Sequence, residues 1–155
     1  MSISPADVQA TNHGTEPISK KLREFFLQCP YLPMWMKSIN VDYQGDEAGS
    51  FMIESTPSNP WVKKYINGKG VKQFVFAFSS VEIRTPDVLD NIENSGFYEK
   101  VSEWLDECTN ARALPDLDGN RQPLRIYATT SGYVYDTDNG TAKYMIQCNF
   151  EYLQY

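Results

Sequence analysis

The sequence predicts an α+β fold, a mostly antiparallel sheet of about five strands flanked by an N-terminal helix and a long central helix. Three observations carry that expectation. Apolar residues recur at helical spacing in 18–29 and 88–108. They alternate with polar residues in 39–44, 51–54 and 143–152, and aromatic residues recur at a period of two in 71–83. The resulting order is helix, three strands, helix, two strands.

Residues 1–14 are polar and small, with Pro5 and Gly14, and read as a flexible N-terminal arm. Residues 15–155 read as a single α+β domain. Thr15 offers an N-cap and Pro17 sits in the first turn. Ile18, Leu22, Phe25, Phe26 and Cys29 then share one face of a helix that ends at Cys29-Pro30. Ile39, Val41 and Tyr43 mark a first strand, 45–49 a turn, and Phe51 and Ile53 a second strand. The stretch Pro57 to Gly70 holds Trp61, Tyr65, Lys63, Lys64 and Lys69, and reads as an ordered excursion turning at Asn67-Gly68. Phe74, Phe76 and Phe78 line one face of a long strand, 71–83. Thr85-Pro86 opens a second helix. Its apolar side carries Val88, Leu89, Ile92, Phe97, Val101, Trp104, Leu105 and Cys108, and Asn94-Ser95-Gly96 is expected to interrupt it. Arg112 to Pro123 is a loop. Leu124, Ile126 and Ala128 begin a fourth strand that Tyr133, Val134 and Tyr135 continue. Asp138-Asn139-Gly140 signals a hairpin, and Tyr144 to Tyr152 alternates in a final strand.

The composition bounds the function. The chain has 155 residues, 41% hydrophobic and 22% charged, with a mean hydropathy of -0.47. That is enough chain for one core without disulfides or metal. No stretch approaches the roughly 18 apolar residues of a membrane helix. The net charge of -6 argues against wrapping a nucleic acid, which needs a basic surface. MSISPADVQA has neither a basic nor an apolar signal region, so a reducing cytoplasm is the expected place of synthesis.

No catalytic set is expected. Cys29, Cys108 and Cys148 are far apart and fall on apolar faces, where inert buried thiols are the default. His13 is the only histidine and belongs to the arm. Asp116, Asp118 and Asn120 are spaced like the start of a calcium loop, but Gly119 is early and Tyr127 stands where the closing glutamate belongs, so a polar turn is expected. Glu99, Glu103, Asp106 and Glu107 fall on the polar side of the second helix and read as a solvated face. The Trp61–Lys69 stretch has three readings: a single-strand nucleic-acid site, Trp61 and Tyr65 packed on the domain, or a protein contact. The acidic charge favours the last.

Several patches together resemble a known family. They are Ile39-Asn40-Val41-Asp42-Tyr43 with Gly45-Asp46, and Gly49-Ser50-Phe51-Met52-Ile53-Glu54. Lys64-Tyr65 with Gly68, and Gln73-Phe74-Val75-Phe76-Ala77-Phe78, belong with them. So do Asn91-Ile92-Glu93-Asn94-Ser95-Gly96-Phe97-Tyr98-Glu99-Lys100 and Tyr144-Met145-Ile146-Gln147-Cys148. Over residues 18–154 the chain resembles the small minor capsid proteins of tailed phages of Gram-positive bacteria, a morphogenesis family that looks like lambda-type tail terminators. The resemblance implies a sheet flanked by helices and a homo-oligomeric ring, a hexamer, seated on the tail tube protein. Such a ring stops tube growth and presents a surface to the head-tail connector protein. It implies a structural virion protein of the tail and neck, assembled in the host cytoplasm, with no catalysis, no metal and no cofactor. DNA would pass through the lumen without specific binding, and no membrane is involved.

Contact residues are expected from this sequence's own chemistry: Trp61, Lys63, Lys64, Tyr65 and Lys69 in the excursion, Asp116, Asp118 and Arg121 in the following loop, and Tyr135 and Tyr155 near the final hairpin. Deleting 60–68 is expected to leave the fold intact and abolish assembly. Two alternatives stay open. One is a head-tail adaptor of the neck. The other is a small-ligand-binding domain or enzyme with a pocket among Phe74, Phe76, Phe78, Trp104 and Tyr133.

Overall fold

The computed structural model describes residues 16–33, 36, 38–42, 49–83, 88–138 and 141–155, with side chains described for all of these but 83, 88–95 and 135–138. Along the chain run α1 (Ile18–Phe26), β1 (Ser38–Val41), β2 (Ser50–Ser55), β3 (Trp61–Lys64), β4 (Gly70–Ile83), α2 (Val88–Asn110), β5 (Arg121–Ala128), β6 (Tyr133–Asp138) and β7 (Thr141–Gln154). The arm 1–14, with His13 and the N-cap expected at Thr15, lies outside the described residues. So do Tyr43, most of the 45–49 turn, and Asn139-Gly140.

β4 and β7 form the spine. They are 14 residues each and pair antiparallel from Gly70↔Gln154 to Ile83↔Thr141 without a register shift. Each also carries two short strands on its other edge. β2 pairs with the second half of β4 and β3 with its start. β6 pairs with the start of β7 and β5 with its end. Both helices lie against the face that carries Phe76 and Phe78. The Phe26 ring stacks on Phe78 at 4.5 Å between centroids and meets Phe76 edge-on at 5.9 Å. Phe25 stacks on Trp104 of α2 at 4.7 Å. Alternation explains why these rings share a face: even positions of β4 meet even positions of β7, so Phe76, Phe78, Ile146, Cys148 and Phe150 all enter one core. All three cysteines are free and buried there, and burial pushes each thiol up from its ordinary range.

The expected five-stranded, mostly antiparallel sheet is corrected. Among the described residues the fold is dominated by a seven-stranded mixed sheet with two helices. Three differences account for this. The 57–70 excursion contains β3, because Trp61 and Lys64 pair with Lys72 and Gly70. The fourth strand is two, β5 and β6. Ala128 and Tyr133 are five positions apart, while their partners Cys148 and Met145 are three apart, so the ladder breaks between them. Finally, β1 runs parallel to β2, from Ser38↔Ser50 to Val41↔Ile53. Alternation in a sequence marks a strand but carries no direction, which is why the parallel edge was not legible. Asp42 continues that edge at a positive φ of 53°, its N–H bonding Ile53 O at 2.9 Å and its carboxylate accepting from Ser55 N at 3.0 Å.

The helices also differ in detail. α1 ends at Phe26, and Gln28 and Cys29 close the turn with bonds to Phe25 O and Phe26 O at 3.1 and 3.0 Å. Asn94-Ser95-Gly96 does not interrupt α2, which is continuous over 23 residues. The pocket expected among Phe74, Phe76, Phe78, Trp104 and Tyr133 is not assembled. Phe76 and Phe78 are fully buried against α1, Trp104 lies on Phe25, and Tyr133 bonds Met145 and Gln147 on the opposite face. Among the described residues, no helix is long and apolar enough to cross a membrane.

Candidate functional site

The β3–β4 hairpin is built from its turn outward. Gly68 N–H bonds Tyr65 O at 3.0 Å, and Tyr65 N–H bonds Lys69 O at 2.7 Å. Asn67 accepts from Lys69 N at 3.1 Å through its side chain. Gly68 holds a φ of 85°. This is a three-residue loop closed by a left-handed glycine, the position where an L side chain is disfavoured. The turn therefore holds Ile66 at the tip with its side chain fully in water, beside Tyr65, itself 44% exposed.

The basic residues gather on the same hairpin. Lys64 and Lys72 place their ammonium groups 5.0 and 4.8 Å from the Trp61 ring centre, and Lys63 lies 5.3 Å from that of Tyr65. Such contacts hold cations over ring faces at little desolvation cost. From residue 55 to 81 the chain has four lysines and no carboxylate. The hairpin is thus a cationic, aromatic protrusion on an acidic molecule.

Its base depends on one close approach. A Cβ on Gly70 would lie 2.1 Å from the Lys63 carbonyl oxygen, a backbone atom that cannot swing aside. Gly70→Ala is expected to force β3 from β4 and cost about 1–3 kcal/mol, read as a lower urea midpoint. An unchanged midpoint would mean that β3 is not held as described.

The other expected contact residues are partly brought together. Register places Lys64, Gly70, Gln154 and Arg121 in one row across the sheet. The loop before β5 and the C-terminus therefore lie at the hairpin's end of the sheet. Tyr155 is exposed there, its N–H bonding Asn120 O at 2.8 Å and its hydroxyl bonding Gln122. Asp116 is exposed. Asp118 and Arg121 are engaged inside the chain: they pair with each other, Arg121 donates to Glu16 O at 2.9 Å, and Asp118 accepts from Glu16 N at 3.3 Å. Burial works to raise the Asp118 carboxyl, but the Arg121 and Glu16 hydrogen bonds hold it below its ordinary range. These two residues clamp the start of α1 to the sheet. Tyr135 belongs to β6 at the opposite end, and its side chain lies outside the described ones.

No family model and no curated protein matches this chain.

One group of polar residues was not singled out from sequence. On the face opposite the helices, Asn149 donates to Gln73 and to the Tyr127 hydroxyl, both at 3.1 Å, and Gln73 donates to Asn59 O at 2.9 Å. Arg125 pairs with Glu151 and lies 5.7 Å from the Tyr127 ring. The signal was the polar alternation Lys143, Gln147, Asn149, Glu151. It reads equally as a solvated face, so only the pairing of β7 between β4 and β5 reveals the network. Gln73 anchors the segment that leads into β3, tying this face to the hairpin.

Proposed function

We propose that the chain is a structural protein of a phage tail: a closed homo-oligomeric ring, a hexamer, that caps the tail tube, ends its growth and presents the head-joining surface. The observation that carries this reading is the hairpin tip. A rigid turn keeps Ile66 fully in water beside Tyr65, Lys63, Lys64 and Lys69. An apolar side chain fixed in that position gains free energy only when a partner covers it, and Tyr and Trp beside it are favoured anchors. A ring subunit needs such a patch, because heterologous contacts close only when two different surfaces meet. The resemblance of residues 18–154 to phage tail terminators supports reading the assembly as a tail ring, with a place in the virion at the tail and neck. The ring would work without catalysis or cofactor and would let DNA pass without binding it.

The test is light scattering coupled to size exclusion, with negative-stain microscopy, in the absence and presence of tail tubes. A ring of about six subunits bound to tube ends supports the reading. A ring that binds the head connector and ignores tubes would make the protein an adaptor instead. A monomer indifferent to both would end the structural reading. The deletion of 60–68 is not the right variant, because it removes β3 along with the tip. Ile66→Asp with Tyr65→Ser keeps the turn and should abolish ring assembly, and tube capping with it, while leaving the unfolding free energy within about 0.5 kcal/mol of the parent.

A further inference from the structure

Charge in this molecule is segregated by element. The 55–81 stretch carries only lysines, whereas α2 carries six carboxylates and one lysine. On α2, Glu99, Glu103, Asp106 and Glu107 are all exposed and recur three, four and seven residues apart, so they form one outward stripe. Over these positions the stripe is about 12 Å long, at 1.5 Å per residue. Their like charges repel one another along the helix, and no lysine hairpin residue pairs with them inside the chain among the described ion pairs.

The stripe has an apolar neighbour. Leu27 and Tyr31, which follow α1, are 42% and 40% exposed. Lys100 of α2 lies 5.7 Å from the Tyr31 ring, so Tyr31 flanks the acidic stripe at its Glu99–Glu103 end. The molecule therefore shows two surfaces of matched kind. The hairpin offers exposed Tyr65 and Ile66 beside lysines. The outer helix layer offers exposed Tyr31, under Lys100, at the end of a stripe of four carboxylates. Apolar contact at the centre with opposite charges at the rim is the usual anatomy of a protein contact.

We infer that the lysine hairpin of one subunit docks on the acidic face of α2, beside Tyr31, of a second copy of this chain. The two surfaces are different, so the contact is heterologous and propagates head to tail into a ring or filament. The inference rests on the ring reading above and names the two surfaces that close the ring.

Two charge-reversed proteins test it. One carries Lys63→Glu, Lys64→Glu and Lys69→Glu. The other carries Glu99→Lys, Glu103→Lys and Asp106→Lys. All six sites are exposed, and circular dichroism verifies that both proteins fold. Sedimentation should show wild-type self-association that weakens from about 0.1 M to 1 M salt, as the Debye length falls from about 10 to 3 Å. Each reversed protein alone should associate at least about 100-fold more weakly, because both of its surfaces then carry one sign. Mixed one to one they should associate again, since every hairpin then meets an oppositely charged helix. The inference is overturned by reversed proteins that associate like wild type, by a mixture no better than its parts, or by a wild type that stays monomeric to about 1 mM.

The outcomes separate this contact from the tail reading. Wild-type rings on tail tubes that ignore charge reversal keep the tail reading and lose this contact. Charge-dependent assembly in a protein that never engages tail tubes keeps the contact and loses the tail reading.

Discussion

Phe26→Ala should lower the unfolding free energy by about 3–5 kcal/mol, much of the 5–15 kcal/mol that holds a domain of this size. Phe26 has no solvent exposure. Its ring touches Phe78 at 4.5 Å, Trp104 at 5.8 Å and Phe76 at 5.9 Å, joining α1, α2 and the spine strand at one point. Truncation leaves a void between rigid elements that cannot all move inward, so the cavity cost adds to the lost transfer energy. Leu27 is the control. It is the next residue and 42% exposed, so Leu27→Ala should change stability by no more than about 0.5 kcal/mol. Urea unfolding of both variants measures the contrast. A Phe26→Ala cost below about 1 kcal/mol would mean that α1 is not docked on β4.

Glu82→Gln should stabilise the protein by about 3 kcal/mol at pH 8 and leave it unchanged near pH 4.5. Glu82 is buried among apolar groups on the core face, where burial pushes its carboxyl from about 4.5 up to about 7, with the Ser80 hydrogen bond pulling the other way. A gap of that size corresponds to about 3 kcal/mol at 1.36 kcal/mol per unit. The folded value is raised, so the protonated form stabilises the fold. That contribution is complete below about 4.5 and is lost as pH rises through about 7.

The hydrogen bonds around it agree. Ser80 Oγ lies 3.1 Å from Glu82 Oε1 and 2.5 Å from the Tyr98 hydroxyl, which lies 3.2 Å from Tyr144 O. Ser80 donates to Glu82 Oε1, so one carboxyl oxygen has a partner. An ionised Glu82 leaves a charged oxygen, Oε2, buried without a hydrogen-bond partner. The glutamine amide is uncharged at every pH, and its oxygen can still accept from Ser80. Wild-type stability should therefore fall between pH 4.5 and 8 while that of the variant stays level through the window. Equal slopes for the two proteins would refute the role of Glu82. Asp118 acts in the opposite sense: its lowered value stabilises the fold at neutral pH, and that contribution is lost as pH falls through its folded value.

Much of the local structure was legible because it is written in periodicity. Phe74, Phe76 and Phe78 announced β4, and Leu22, Phe25 and Phe26 announced α1. The basic-aromatic run Trp61–Lys69 was legible as a contact candidate from residue types alone. The strand inside that run was not, because Trp61-Val62-Lys63-Lys64 has no alternation and becomes a strand only by pairing with Gly70 to Lys72. Asp118 and Arg121 were equally invisible as a clamp. Their partner Glu16 lies about a hundred residues away, and local spacing does not encode such a contact.

The sequence by itself determined the two amphipathic helices, the long aromatic strand, the buried thiols and the segregation of lysines from carboxylates, since each follows from neighbours within a few residues. The tertiary structure alone decided the strand count, the parallel β1–β2 edge, the burial of Glu82 beneath the core and the gathering of hairpin, loop and C-terminus at one end of the sheet. Each of these depends on which distant segments pair. A strand has hydrogen-bonding groups on both edges and no local mark of partner or direction, so long-range packing makes that choice.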